Sequence, residues 1–237
     1  MSESMRMITE IGFNVLYLIF IWILVYRMFR ANGYRSYTDR GVGHLFRLGF
    51  LFLAIGDTGH VGFRVWAYAL GSLDATVQVF GMTIPLVGAG ALSTAVLVTV
   101  LYMLMAEAER RRFNMPWNLF YIILILAGLS RFVVMALQGN HWEYSIPPAE
   151  MSLYRNIPLA VLGLGLAILM LFHAKKKKDP FFSYLSVLIF ISFAFYAPVI
   201  LWVQKVPLLG MLMIPKTIAY LLMAVAVYRK YFRKISK

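Results

Sequence analysis

The chain contains no cysteine. Disulfides, iron–sulfur clusters, thiolate-ligated haem and cysteine nucleophiles are therefore excluded. Charge is scarce as well: 14% of the 237 residues are Asp, Glu, Lys or Arg and 61% are hydrophobic, whereas soluble domains carry about 25% charged residues. Histidine is rarer still, with four residues. His44, His141 and His173 fall at helix boundaries or in a loop and only His60 falls inside an apolar run, so no multi-histidine set for zinc or for bis-histidine haem can be assembled. His-Glu-x-x-His, Gly-x-Ser-x-Gly and phosphate-loop motifs are also missing. No metal and no cofactor is expected.

Long apolar runs are what the chain has instead. A helix crosses about 30 Å of hydrocarbon with about 20 apolar residues. Seven stretches meet that length: residues 10–30, 45–69, 78–105, 117–138, 151–173, 181–203 and 207–229. They are too long and continuous for barrel strands, and the connections are too short for a soluble domain. The expectation is an all-α integral membrane protein, one domain over residues 1–237 with seven transmembrane helices.

The net charge of +13 takes its meaning from its placement. Arg27, Arg30, Arg35, Arg40 and Arg47 flank the first connection. Arg110, Arg111 and Arg112 follow the third stretch, Lys175 to Lys178 the fifth, and Arg229, Lys230, Arg233, Lys234 and Lys237 close the chain. Alternate connections carry Asp74, Glu143 and Glu150 instead. Basic residues concentrate in short cytoplasmic loops. The N-terminus is thus expected outside and the C-terminus in the cytoplasm, in a multi-pass plasma-membrane protein. The basic clusters are expected to contact anionic membrane lipids and not nucleic acid. The first stretch has no small-residue cleavage site and runs directly into arginines, which marks a retained span.

A faint internal repeat is visible. Phe80-Gly81-Met82-Thr83-Ile84-Pro85 echoes Leu209-Gly210-Met211-Leu212-Met213-Ile214-Pro215 with one insertion, and aligning Phe46 with Phe182 places Trp66 on Trp202 and His60 on Tyr196. Parallel repeats over residues 10–105 and 151–229, joined by a linking helix at 117–138, would follow. With these features the chain resembles, in architecture, the three-plus-one-plus-three group of sugar and vitamin transporters and microbial rhodopsins. Lys216 lies along the seventh stretch, where the rhodopsins form their retinal Schiff base. The run from Phe193 through Tyr196 and Pro198 to Trp202 is similar to their aromatic pocket. Retinal binding through Lys216 is what that likeness implies. The third stretch departs from it in having no mid-depth carboxylate, which leaves Asp57 as the counter-ion.

Polar residues inside the apolar runs carry the functional expectation. Asp57 and Lys216 fall near mid-membrane, His60, Arg64, Arg131 and Tyr196 in the outer half, and Arg155 near the outer surface. A charge at the bilayer centre costs at least about 2.5–3.5 kcal/mol, so such groups face the bundle interior and have partners. At about 100° per residue, Asp57, His60 and Arg64 share one helix face. Gly56, Gly59 and Gly62 would let a neighbouring backbone approach. The expected site comprises Asp57, His60, Arg64, Arg131, Arg155, Tyr196, Lys216 and Tyr220. Its surplus of cations suits a small anionic or lipidic ligand, in a transporter or ligand sensor whose helices rearrange about kinks at Pro85 and Pro215. The polar loop Asn140-His141-Trp142-Glu143-Tyr144 reads as an interfacial belt or a lid over the pocket. A second expectation uses Asp57 and His60 as base and Arg64 or Arg131 as anion stabiliser in a metal-free intramembrane lipid hydrolase. The Gly56-Asp57 step after an apolar run is similar to the lysoplasmalogenases.

Overall fold

The computed structural model describes residues 3–31 and 37–233, with side chains described except at 3–8, 10, 37 and 38. Arg35, Lys234 and Lys237 lie outside the described residues. The chain is all-α apart from one hairpin. Its helices are α1 (Glu3–Arg30), α2 (Tyr37–Ala69), α3 (Leu86–Arg112), α4 (Leu119–Ala136), α5 (Ala149–Lys177), α6 (Pro180–Trp202) and α7 (Met213–Val227); strands β1 (Thr76–Val79) and β2 (Met82–Pro85) form an antiparallel pair between α2 and α3.

The helix ends follow local rules. Asn118 caps α4 by accepting from the Phe120 and Tyr121 amides, and Asp179 does the same for Phe181 and Phe182 at the start of α6, where Pro180 takes the first helical position. Lys178 closes α5 in a left-handed conformation with φ 54°.

Six segments are long and apolar enough to cross a membrane: Ile11–Arg30, Leu86–Arg112, Leu119–Ala136, Ala149–Lys177, Pro180–Trp202 and Pro207–Phe232. Large side chains such as Leu16, Phe20, Phe120, Leu126, Val133, Ile168 and Phe172 are more than half exposed on these helices. Such an apolar exterior belongs in lipid. The chain is a polytopic membrane protein. Helix α2 is missing from the six because Asp39, Arg40, His44, Arg47, Asp57, His60 and Arg64 dilute its apolarity. Yet its 33 residues span about 50 Å at 1.5 Å per residue, and it lies close along α3. A Cβ on Gly90 would stand 2.9 Å from the Gly59 carbonyl oxygen, and one on Gly56 3.1 Å from the Thr94 Cα. Gly56 and Gly59 thus serve the close approach; Gly62 meets nothing within 4 Å.

The basic ends converge. The Arg47 guanidinium sits over Phe29, Arg112 reaches both Asp39 and Asp179, and Phe46, Phe181, Phe182 and Tyr231 form one aromatic cluster. The C-terminal ends of α1, α3, α5 and α7 and the N-terminal ends of α2 and α6 therefore lie together.

Three expectations change at the opposite end. The third stretch does not begin as helix at residue 78: residues 76–85 form the hairpin, whose tip holds Phe80 at φ 50° and Gly81 at φ 78°. Both central residues have positive φ, as a tight hairpin turn requires. Pro85 precedes α3 in an extended conformation, and Pro215 lies in the first turn of α7. Neither kinks a helix interior, because a proline is tolerated where the N–H has no helical partner. The interior prolines are Pro158 in α5 and Pro198 in α6. Lys216 consequently stands near the start of α7, after the 3-10 turn Pro207–Leu212. The segments 80–85 and 209–215 adopt different conformations, whereas the aligned Phe46 and Phe182 are both fully buried and their rings lie 6.0 Å apart.

Candidate functional site

In the half of the bundle away from the basic end, α2 presents Asp57 to α1 and α3. Tyr17 donates to Asp57 Oδ2 at 2.7 Å and Thr94 donates to Oδ1 at 2.8 Å. Both carboxylate oxygens are thus held by neutral hydroxyls. Asp57 lies within electrostatic range of Lys216, but no ion pair joins them among the described residues.

The Lys216 ammonium rests on the Tyr196 ring, 3.6 Å from its centroid, and 5.9 Å from that of Tyr220. A cation over an aromatic face is stabilised without being neutralised. Tyr220 and Tyr102 share a hydrogen bond of 3.0 Å, and Ser192 bonds to both. Tyr196 in turn donates to Asn156 Oδ1 at 3.0 Å. The cluster therefore runs from α7 through α6 to α5.

Arg131 of α4 completes it. Its side chain is 2% exposed. Nε donates to the Arg155 carbonyl at 2.8 Å, and Nη1 to Thr99 Oγ1 at 2.6 Å and to the Ala95 carbonyl at 3.0 Å; Nη2 reaches Asn156 Oδ1 at 3.4 Å. All of these acceptors are neutral. Pro158 lacks the N–H that would continue the α5 ladder, and the turn it loosens is the one whose Arg155 carbonyl receives Arg131.

The Arg155 side chain points the other way, into the loop after α4. It reaches Asn140 Oδ1 at 3.4 Å and lies 4.7 Å from the Trp142 ring centroid. Trp142 is pinned: its indole N–H donates to the Met135 carbonyl at 3.0 Å, and its own carbonyl occupies the space a Cβ on Gly88 would need. The 138–144 loop covers this end of the cluster. At its surface His141 Nδ1 lies 2.6 Å from Glu143 Oε1, and this contact holds the Glu143 carboxyl below its ordinary range.

His60 and Arg64 turn toward α1. With Ile11, Asn14, Val61 and Val65 they line a small cleft that has room for about one water molecule. His60 Nδ1 and Arg64 Nε are buried there and have no hydrogen-bond partner among the described residues. Asp57 and His60 share a helix face as the sequence spacing requires, but they are not hydrogen-bonded to each other as a base and its orienter would be.

The eight predicted residues thus divide. Arg131, Tyr196, Lys216 and Tyr220 meet in one network, and Asp57 lies within electrostatic range of Lys216 but is bonded to Tyr17 and Thr94; Arg155 contributes its carbonyl to the network and its guanidinium to the covering loop; His60 and Arg64 face the α1 cleft. Among the described residues none of Arg64, Arg131, Arg155 and Lys216 is ion-paired with a carboxylate. Sequence reading missed Tyr17, Thr94, Thr99, Tyr102 and Ser192, single hydroxyls in apolar runs that only packing brings to the charges. It also passed over Glu109 of α3, which is fully buried at the basic end. Glu109 accepts from Tyr121 Oη at 2.6 Å and meets His173 Nδ1 at 2.6 Å. The available signal was a carboxylate, Glu109, directly before Arg110–Arg112 and an imidazole, His173, two residues before Lys175. Comparison with known proteins found no matching family model, curated protein or solved structure.

Proposed function

We propose that this chain is a seven-span protein of the plasma membrane, with α2 as the additional span, the N-terminus outside and the C-terminus cytoplasmic. It binds a small anionic or amphipathic ligand under the outer leaflet, as a transporter or ligand sensor. The observation that carries the reading is a set of cations with no carboxylate partner among the described residues: Arg64, Arg131, Arg155 and Lys216 come from four helices, and Asp57, within electrostatic range of Lys216, is engaged by Tyr17 and Thr94. Uncompensated charge in a low-dielectric region is costly, and an oxyanion would offset it through charge-assisted hydrogen bonds. Arg131 and Arg155 are buried, so ligand access to them requires movement. Pro158 and Pro198, inside α5 and α6 beside Arg155, Asn156 and Tyr196, are the natural hinges. The buried, paired Phe46 and Phe182 fit a parallel repeat of residues 10–105 and 151–229 about the 117–138 helix.

The topology is tested by thiol labelling, for which a cysteine-free chain is suited. Single substitutions Ser72→Cys and Ser145→Cys are expected to react with an impermeant maleimide from outside, and Asn114→Cys only after permeabilisation. The reverse pattern inverts the orientation, and Ser72 on the same side as Asn114 removes α2 as a span. Ligand binding is tested with the purified protein in lipid nanodiscs against a panel of radiolabelled carboxylates and phosphates. Saturable binding is expected, weakened at least tenfold in Lys216→Met, and its absence across the panel sinks the reading. Uptake of the bound compound into proteoliposomes marks a transporter; binding without flux marks a sensor. No observation favours the hydrolase or the retinal reading: Asp57 and His60 are not paired, and the Lys216 amine is covered by Tyr196.

A further inference from the structure

The cleft between α1 and α2 has two properties that the rest of the site lacks. It opens sideways, between two helices whose flanking residues Ile55, Val65 and Trp66 on α2 and Val15 and Leu16 on α1 are exposed on the apolar exterior. It also holds buried donors with no acceptor among the described residues: the Arg64 Nε–H, and His60 Nδ1 in the tautomer or charge state that carries a proton there. A buried N–H without a partner is costly, so two such groups on one wall point to an acceptor that arrives from elsewhere. The opposite wall supplies Ile11 and Asn14, and Val61 and Val65 flank the donors. Donors for an oxyanion therefore lie beside a short aliphatic surface at the lipid boundary. The space admits about one oxygen atom, which suits the leading atom of a head group whose remainder stays at the bilayer surface.

We infer that the α1–α2 cleft is a lateral port for a membrane amphiphile, in which Arg64 and His60 take an oxygen of its carboxylate or phosphate while Ile11, Val61 and Val65 receive the first methylenes of its chain. This rests on the proposed anion-binding reading and narrows its ligand to lipid-soluble anions that arrive from the outer leaflet. His60 in the port is within electrostatic range of Lys216, so an anion held there is also attracted by that deeper cation. Water-soluble anions would instead have to pass the covering loop at 138–144.

The test uses the full chain in nanodiscs. Radiolabelled dodecanoate and dodecyl phosphate are the probes, acetate and inorganic phosphate are the chainless controls, and dodecanol is the uncharged one. Both probes are expected to bind saturably and at least tenfold more tightly than any control, with Arg64→Gln weakening them about tenfold. A diazirine analogue of dodecanoate is expected to label residues around Ile11, Val61 and Val65 in the unaltered protein, with labelling suppressed by dodecanoate and not by dodecanol. Acetate or phosphate binding as tightly as its long-chain counterpart, with Arg64→Gln without effect, overturns the port and leaves the anion site standing. Labelling spread over all lipid-facing helices, or equally suppressed by dodecanol, overturns the port even if Arg64→Gln fails to fold. No saturable binding of any anion removes both.

Discussion

At the basic end of the bundle, charges meet charges. Glu109, fully buried, is held by His173 and Tyr121; Asp179 caps α6 and takes Arg112 through two N–H groups at 2.9 and 3.0 Å; Glu107 accepts from Arg110 and Arg111. At the opposite end Arg131 is surrounded by neutral oxygens, Lys216 leans on aromatic faces, and Arg64 Nε has no partner among the described residues. The first arrangement ties α3, α4, α5 and α6 together and gives each of these carboxylates a partner. The second is incomplete as it stands, since buried cations without counter-charge are stable only when the surrounding fold or a bound anion compensates them.

Substitutions should expose that asymmetry. The largest effect is expected for Glu109→Ala, which leaves the Tyr121 hydroxyl and the His173 ring buried without their acceptor; about 3 kcal/mol of stability should be lost. Glu109→Gln, which keeps an acceptor, should cost less, as read from reversible unfolding in bicelles. Next comes Asp179→Ala, which removes the α6 cap and the Arg112 pair together, for about 1–2 kcal/mol by the same measurement. Lys216→Met at the other end should be neutral or stabilising, within about 1 kcal/mol, because it removes a cation that no carboxylate neutralises. A loss of about 3 kcal/mol there would show that Lys216 is a structural member like Glu109 and would break the comparison. The smallest effect concerns the covering loop. The Glu143 carboxyl is held below its ordinary range by His141, so this contact contributes fully above the unfolded-state value and is lost as pH falls through the lowered one. The protection factors of the amides in residues 138–144, taken against the intrinsic exchange rate at each pH, should fall slightly on acidification through that window and stay unchanged in Glu143→Gln.

Much of the architecture was legible because hydrophobic length is a one-dimensional signal. Six of the seven expected stretches reappear as membrane-length helices, and the alternation of basic ends agrees with the way Arg47, Arg112, Phe181 and Tyr231 converge. The hairpin at 76–85 was not legible in the same way. Its Val, Phe, Met and Ile are as apolar as a helix start, and only the Phe80-Gly81 pair with positive φ distinguishes it. The polar residues of the site were visible as exceptions in apolar runs, so Asp57, Arg131 and Lys216 could be singled out. Their partners Tyr17, Thr94, Thr99 and Tyr102 could not, since a lone hydroxyl on a membrane helix is common and has meaning only through its neighbour.

The order of residues by itself determined that the chain enters lipid, where its helices run and which ends share a side, because burial in hydrocarbon depends on composition over about 20 consecutive positions. Only the tertiary packing decided which charges are neutralised. Glu109 meets His173 across 64 positions and Asp57 meets Tyr17 across 40. Hydrogen bonds act over about 3 Å, and a distance that short between remote residues exists only after the helices have packed.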